Sequence, residues 1–221
     1  MSRRTLIGFA LVVLGLVGGC AQVKSPNKWE PAIEKFEQQD RTTPAPQHPI
    51  LFVGSSTIRI WKVKDAFGDL PVLNRGFGGS QVEDVLTFFD RVVARYQPSE
   101  IVFYSGDNDL AAGKSSERVV ADIQQFIRLV RQKLPRTKLI VIAIKPSISR
   151  WRLIDQMRQT NQQVRKLIEA RSGDVFIDVE PQILDENGKP RPDLFRPDGL
   201  HLNDKGYVIL NEAVRPYLEA K

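Results

Sequence analysis

The sequence is poor in the residues that build disulfides and metal sites. Its 221 residues include one cysteine and two histidines. A single cysteine excludes an intrachain disulfide, and no zinc-ligand spacing is present. Arginine-rich runs and aromatic RNA-binding motifs are also missing, and the formal net charge of +6 falls to +4 once Arg3 and Arg4 are removed with the leader described next. We therefore expect neither a metal nor a nucleic-acid partner.

The amino-terminal apolar run, residues 6–17, is too short for a comfortable membrane span of about 20 residues. It follows Met1-Ser2-Arg3-Arg4, and a basic segment before a short apolar one is the layout of a secretory signal. The run ends in Leu16-Val17-Gly18-Gly19-Cys20, which resembles the processing box of bacterial lipoproteins. That resemblance implies cleavage before Cys20 and attachment of lipid to its thiol, with Ala21 favouring the outer membrane. A plain cleaved signal peptide is the alternative.

A single globular domain is expected behind this leader. Hydrophobic residues make up 42% and charged residues 26% of the chain, which is typical of globular proteins and enough for one sizeable core. We predict a signal peptide over residues 1–19, a lipidated Cys20 with a polar tether over 20–47, and the domain over 48–221. A short helix at 31–39 is expected to dock on the domain. The expected location is the bacterial cell envelope, on the periplasmic side of the outer membrane.

Strand-like and helix-like segments alternate along the domain. The apolar pattern predicts strands at 50–53, 71–73, 101–104, 139–144 and 175–179, and helices at 82–96, 119–134, 154–170 and 204–218. Five strands separated by helices predict an α/β fold with a parallel sheet covered on both faces. In such sheets, sites form beyond the carboxyl ends of the strands. The segments that follow the strands are therefore the candidates for chemistry.

His201 is the candidate general base, because histidine readily takes up and returns a proton near neutral pH. The other histidine, His48, lies in a proline-rich stretch. Asp198 precedes His201 by three positions in a loop between the fifth strand and the last helix. Its carboxylate can hold the imidazole in one orientation and stabilise the charged form.

Each of the other segments has a structural interpretation beside the functional one. Ser56 either caps a helix or uses the positive helix terminus as a nucleophile site. The glycines of 76–79 either make a tight turn or expose N–H groups to an anion. Asn108 either caps a turn or points a neutral donor at developing charge. A catalytic pair of Asp107 and Asp109 is unattractive, because alternate residues of an extended segment point in opposite directions.

Together these segments resemble the SGNH (GDSL-type) hydrolases, from about residue 50 to the carboxyl terminus. Four blocks match in the family's order: Gly54-Ser55-Ser56, Asn74-Arg75-Gly76-Phe77-Gly78-Gly79, Gly106-Asp107-Asn108-Asp109 and Asp198-Gly199-Leu200-His201. The resemblance implies a flavodoxin-like, three-layer α/β/α fold with a five-stranded parallel sheet and no metal or organic cofactor. Ser55 replaces the family's usual aspartate, so Ser55 is an alternative nucleophile, although the register to Gly54 favours Ser56.

The resemblance also implies a role for each matching residue. Ser56 would be the nucleophile, with Asp198 and His201 as its partners, and the oxyanion hole would consist of the N–H groups of Ser56 and Gly79 and the Asn108 amide. We expect a serine esterase that acts on a short-chain acyl ester, an acetylated glycan or a lysophospholipid. A non-catalytic glycan- or lipid-binding lipoprotein and an acyltransferase on the same fold are the alternatives.

Aromatic and basic residues near the same edge do not select among these substrates. Three aromatic residues are expected to pack in the interior rather than line a subsite: Trp61, Phe77 and Trp151. Three basic residues after the fourth strand either attract anions or, as we expect, carry ordinary solvated charge: Lys145, Arg150 and Arg152.

Overall fold

One five-stranded sheet organises the chain. The computed structural model describes residues 27–219. Its strands are β1 Ile50–Gly54, β2 Val72–Gly76, β3 Glu100–Tyr104, β4 Lys138–Ile142 and β5 Val175–Ile177, all parallel and in the order β2-β1-β3-β4-β5. This confirms the parallel α/β sheet expected from the sequence.

Ten α-helices accompany the sheet within residues 27–219. They are α1 Glu30–Thr42, α2 Ser56–Ile60, α3 Val63–Ala66, α4 Val82–Thr87, α5 Phe89–Val92, α6 Asp107–Ala111, α7 Ser116–Lys133, α8 Ile154–Glu169, α9 Glu180–Ile183 and α10 Asp204–Val214. Successive residues of a strand face opposite sides of the sheet. In β1, Leu51 and Val53 pack with α1, α4, α7 and α8, whereas Ile50 and Phe52 pack with α2, α3 and α10. The two core clusters make the fold a three-layer α/β/α sandwich.

Helix α1 docks on the domain and explains why β2 is longer than the sequence predicts. The prediction ended this strand at residue 73, but it continues through Arg75 to Gly76. The buried Arg75 forms an ion pair with Asp40 of α1 and donates from Nε to the hydroxyl of Tyr96 at 2.7 Å. A buried charged side chain is tolerated in this strand because it is ion-paired and hydrogen-bonded. Ile33 of α1 is fully buried, so this helix belongs to the folded unit.

Two predicted helices are shorter in the structure. The segment 82–96 is divided at Phe88 into α4, α5 and a 3₁₀ turn at Ala94–Tyr96, and the break leaves both Phe88 and Phe89 buried. Helix α10 ends at Val214, and a 3₁₀ turn containing Pro216 follows it. Proline has no N–H to continue an α-helical ladder.

The predicted signal peptide at 1–19 and the predicted lipid attachment at Cys20 lie outside the described residues. Within residues 27–219, no helix has both the length and the apolar content that a membrane crossing requires.

Candidate active site

Three side chains from two distant parts of the sequence form one hydrogen-bonded chain. Oγ of Ser56 lies 3.0 Å from Nε2 of His201, and Nδ1 of His201 lies 2.7 Å from Oδ2 of Asp198. Ser56 and His201 are 145 positions apart in the sequence. Because an ionised carboxylate only accepts, Nδ1 of the neutral imidazole donates to Asp198, and Nε2 is then the acceptor for the serine hydroxyl. This is the arrangement in which a serine can lose its proton to a histidine.

Close contact between β1 and β3 determines which serine meets the histidine. Gly54 ends β1 with φ +141°, and a Cβ atom there would lie 1.9 Å from the carbonyl oxygen of Tyr104. Only glycine fits such a conformation at such a distance. Ser55 then donates its N–H to the same carbonyl at 3.1 Å and is fully buried. Ser56 begins α2 and is 8% exposed, so the hydroxyl bonded to His201 belongs to Ser56 and not to Ser55.

The loop that carries Asp198 and His201 is held by its own backbone. Oδ1 of Asp198 accepts the N–H groups of Leu200 and His201, each at 2.9 Å. Gly199, which follows Asp198 directly, has φ +63°. Arg196 donates its N–H to the carbonyl oxygen of His201 at 2.8 Å. The hydrogen bonds from the His201 side chain, then from the backbone N–H groups of His201 and Leu200, hold the pKa of Asp198 well below its usual range. Asp198 is therefore ionised at neutral pH.

Three N–H donors lie on the segments that the sequence singles out. Gly79 has φ +78°, and Asn108 is the second residue of α6. Nδ2 of Asn108 donates to the carbonyl oxygen of Ser80 at 2.9 Å, which leaves its second N–H available. Among the described residues, none accepts a backbone hydrogen bond from the N–H of Ser56 or of Gly79. These are the donors that an oxyanion would require.

Asp107 and Asp109 have separate structural partners. The Asp109 carboxylate accepts the N–H of Val82 at 3.2 Å and the ammonium of Lys114 at 3.0 Å, and burial raises its pKa. Asp107 instead pairs with Arg150 at 2.9 Å. The two carboxylates thus do not act as a pair, although the predicted reason was wrong, because the segment is helical and not extended. Within residues 27–219, no group of three or more histidine, cysteine, aspartate or glutamate side chains is placed to hold a metal ion.

The expectation of solvated charge after the fourth strand is wrong for two of the three basic residues. Lys145 is 2% exposed and donates from Nζ to the carbonyl oxygen of Leu200 at 2.9 Å. Burial lowers the pKa of Lys145 to about 8, against the attraction of nearby Asp107. The Arg150 side chain is 17% exposed, whereas Arg152 is exposed as expected. The sheet-edge rule located these residues, but the sequence did not show which of them turn inward.

The aromatic residues are largely interior, as expected. Trp61 and Phe77 are buried in the two core clusters, and Nε1 of Trp61 donates to Oδ1 of Asn211 on α10 at 2.8 Å. Trp151 is partly buried, with Nζ of Lys189 at 4.8 Å from its ring centroid. The hydroxyl of Tyr207 on α10 donates to the carbonyl oxygen of Thr57 at 2.8 Å. The contacts from Asn211 and Tyr207 tie α2, which carries Ser56, to the helix that follows His201.

Comparison with known proteins identifies the family. The model of the GDSL-like lipase/acylhydrolase family matches residues 61–209, a span that begins after Ser56 and contains Gly79, Asn108, Asp198 and His201. The chain is 26% identical over 181 residues to the platelet-activating factor acetylhydrolase IB subunit alpha1 of Pongo abelii, covering 76% of this chain and 74% of that protein.

Solved structures share the fold. A GDSL-like lipase from Bacteroides thetaiotaomicron aligns with a TM-score of 0.71 at 18% identity, over 83% of this chain and 95% of that one. An acetylxylan esterase from Geobacillus stearothermophilus aligns with a TM-score of 0.65 at 14% identity, over 79% of this chain and 96% of that one. Because the family model covers most of the folded domain, the family itself is established. The chain belongs to the GDSL-like lipase/acylhydrolase family and is a serine hydrolase that cleaves esters.

Proposed function

We propose that this protein is a serine esterase of the bacterial cell envelope that removes a short acyl group through an acyl-enzyme at Ser56. The observation that carries the proposal is the continuous chain of hydrogen bonds from Ser56 through His201 to Asp198. A non-catalytic binding protein would have no need for a hydroxyl, an imidazole and a carboxylate at these distances.

The proposed reaction begins with proton transfer from Ser56 to Nε2 of His201 as the serine oxygen attacks the acyl carbonyl. Asp198 stabilises the imidazolium that forms, because its carboxylate stays ionised. The imidazolium then returns the proton to the departing alcohol, which leaves an ester of Ser56. His201 next takes a proton from a water molecule as the water oxygen attacks that ester. The imidazolium then returns this proton to the departing Ser56 oxygen, which releases the carboxylic acid and restores the serine hydroxyl.

The negative charge that develops on the carbonyl oxygen needs fixed donors. The N–H of Ser56, the N–H of Gly79 and the free amide hydrogen of Asn108 supply them in this proposal. One such donor typically contributes about 3–4 kcal/mol to lowering the barrier, or a factor of roughly 10²–10³ in rate. The carbonyl oxygen of Ser80, by accepting the other hydrogen of Asn108, supports the amide in place.

The proposed substrate is a short acyl ester carried by a small molecule, a glycan or a lysophospholipid. The names of two similar proteins, an acetylhydrolase and an acetylxylan esterase, both refer to removal of acetyl groups. These similarities support a small acyl group and leave the alcohol portion open. Incubation with labelled acetyl esters, acetylated glycans and lysolipids, with and without an added alcohol acceptor, separates these substrates and distinguishes hydrolysis from acyl transfer.

Covalent labelling tests the catalytic centre directly. A fluorophosphonate reacts only with an activated serine, so mass spectrometry of the treated protein should locate one adduct on Ser56. Ester hydrolysis should be lost in proportion to labelling. An adduct on Ser55, or the absence of any adduct on a protein that still hydrolyses esters, would reject the proposed nucleophile.

The envelope location rests on the processing box that ends at Cys20. Eight residues lie between Cys20 and Trp29, so the nine steps from one to the other, at about 3.5 Å each, span no more than about 32 Å. The Trp29 ring packs against Phe77, in the turn that carries Gly79, with ring centroids 5.8 Å apart. A lipid on Cys20 would therefore hold the proposed site close to a bilayer.

Metabolic labelling tests this anchor. Radioactive palmitate should be incorporated into the full chain expressed in bacteria and should be absent from a Cys20→Ser variant. The variant should be released by high salt or appear in the soluble fraction. Equal labelling of the two proteins would show that Cys20 does not carry the lipid.

A further inference from the structure

Arg150 contacts two neighbouring residues of the asparagine block at once. Its Nη1 donates to Oδ2 of Asp107 at 2.9 Å, and its Nη2 donates to Oδ1 of Asn108 at 2.8 Å. The planar guanidinium presents parallel donors in a fixed geometry, which an ammonium does not. The Asp107 side chain is 5% exposed and the Arg150 side chain 17%, so solvent screens this pair only weakly.

The contact with Arg150 defines the orientation of the Asn108 amide. Rotation by 180° would place the amide nitrogen against the guanidinium and its oxygen against the carbonyl of Ser80, and both contacts would be repulsive. With the oxygen bound to Arg150, the amide nitrogen faces Ser80, and in the proposed function its second hydrogen is the one donated to the oxyanion. A cation bound to the amide oxygen also draws electron density from the nitrogen, which strengthens its N–H as a donor.

The segment that carries Arg150 also supports the other half of the site. Ser149 donates its N–H to the carbonyl oxygen of Gly199 at 3.0 Å, and Lys145 donates to that of Leu200 at 2.9 Å. Gly199 and Leu200 are the two residues between Asp198 and His201. The connection from β4 to α8 thus contacts both the loop of the general base and the amide of Asn108.

We propose that Arg150 is a positioning residue, which orients and polarises Asn108 so that its amide stabilises the oxyanion. This inference rests on the proposed function, because it requires Asn108 to act on the transition state. The Asp107 carboxylate holds the Arg150 guanidinium in place and balances its charge. Arg150 itself binds the amide oxygen and has no contact with the reacting atoms in this proposal.

A double-mutant cycle tests the inference. Kinetics with an acetyl ester are measured for Arg150→Ala, Asn108→Ala and the double variant, with the exposed Arg152→Ala as the matched control. Asn108→Ala should lower kcat by roughly 10²–10³-fold. Arg150→Ala should lower kcat by about 10–100-fold with KM changed by less than about threefold, and it should cause less than about a twofold further loss in the Asn108→Ala background.

Two further measurements separate positioning from a general structural role. Arg150→Lys keeps a cation beside Asp107, so the variant should unfold near the wild-type temperature. It lacks the two parallel N–H donors of the guanidinium, so its kcat should be nearly as low as that of Arg150→Ala. Methylguanidinium at tens of millimolar should partly restore kcat to Arg150→Ala and leave Arg152→Ala and the double variant unaffected. Full activity in Arg150→Lys would show that a positive charge alone suffices and would overturn the role of the two guanidinium donors.

The remaining outcomes distinguish failure of this inference from failure of the proposed function. A normal kcat in Arg150→Ala, losses that multiply in the double variant, or an effect confined to KM would overturn the positioning role while the oxyanion assignment stands. A normal kcat in Asn108→Ala would overturn the oxyanion assignment itself, and the role of Arg150 with it.

Discussion

Replacement of Ser56 by alanine is expected to lower kcat for ester hydrolysis by about 10⁴–10⁶-fold, the range found when a catalytic serine is removed from other hydrolases. The variant loses the hydroxyl that His201 contacts at 3.0 Å, and with it the group that would carry the acyl chain. The fold should remain intact, because Ser56 begins a short helix and alanine is accommodated in helices. Initial rates of acetyl-ester hydrolysis measure the loss in kcat, and thermal unfolding measures whether the fold is retained.

Ser55→Ala is the matched control for this prediction. Ser55 is adjacent and fully buried, and its hydroxyl has no hydrogen-bond partner among the described residues. Removal of such a hydroxyl leaves no partner unsatisfied, so neither kcat nor stability should fall appreciably. An inactive Ser55→Ala beside an active Ser56→Ala would reverse the assignment of the nucleophile.

Replacement of His201 by alanine should lower kcat by a similar factor, because the serine then has no base to accept its proton. The effect should not add to that of Ser56→Ala, since residues that act as one unit fail together. The double variant should therefore be as slow as either single one. His48→Ala is the control, because His48 is the other histidine and its Nδ1 contacts the carbonyl oxygen of Gln97 at 2.9 Å. Equal losses in the two histidine variants would indicate a structural effect.

The lowered pKa of Asp198 restricts which groups can account for a loss of activity at acidic pH. Its pKa is lowered in the folded protein, chiefly by the hydrogen bond from His201. The stability that this interaction contributes is therefore present above the unfolded-state pKa and is lost as pH falls through the folded-state value. A decline of activity in mildly acidic solution thus arises from a group other than Asp198. Since the Asp198 side chain is 47% exposed, solvent screening keeps its contribution to overall stability modest.

Much of the fold follows from local patterns in the sequence. Each of the five strands contains a short apolar run, and the two long helices α7 and α8 cover one face of the parallel sheet. Errors arise where a distant partner changes the local preference. Arg75 lies in a strand because Asp40 neutralises its charge and the Tyr96 hydroxyl accepts a hydrogen bond from it. The segment 82–96 breaks at Phe88 and so places two adjacent rings in the core.

The candidate site likewise has features that local sequence patterns predict and features that only distant contacts decide. Ser56, Gly79, Asn108, Asp198 and His201 were identified because each lies after a strand in a recognisable block. Lys145 and Arg150 were placed near the same edge but were expected to be solvated, because no local pattern distinguishes a buried arginine from the exposed Arg152 two positions later. Burial of a cation depends on partners elsewhere in the chain, here Asp107, Asn108 and the carbonyl oxygen of Leu200.

The sequence by itself determined the succession of strands and helices along the chain, the family and the residue types at the sheet edge. It could do so because the spacing of apolar residues, the positions of glycines and the composition of the four blocks are local properties. Tertiary structure decided which serine meets the histidine, how the Asn108 amide is turned and which cations face inward. These depend on contacts between residues far apart in the chain, at distances of about 3 Å, where a shift of one position or one rotamer changes the partner.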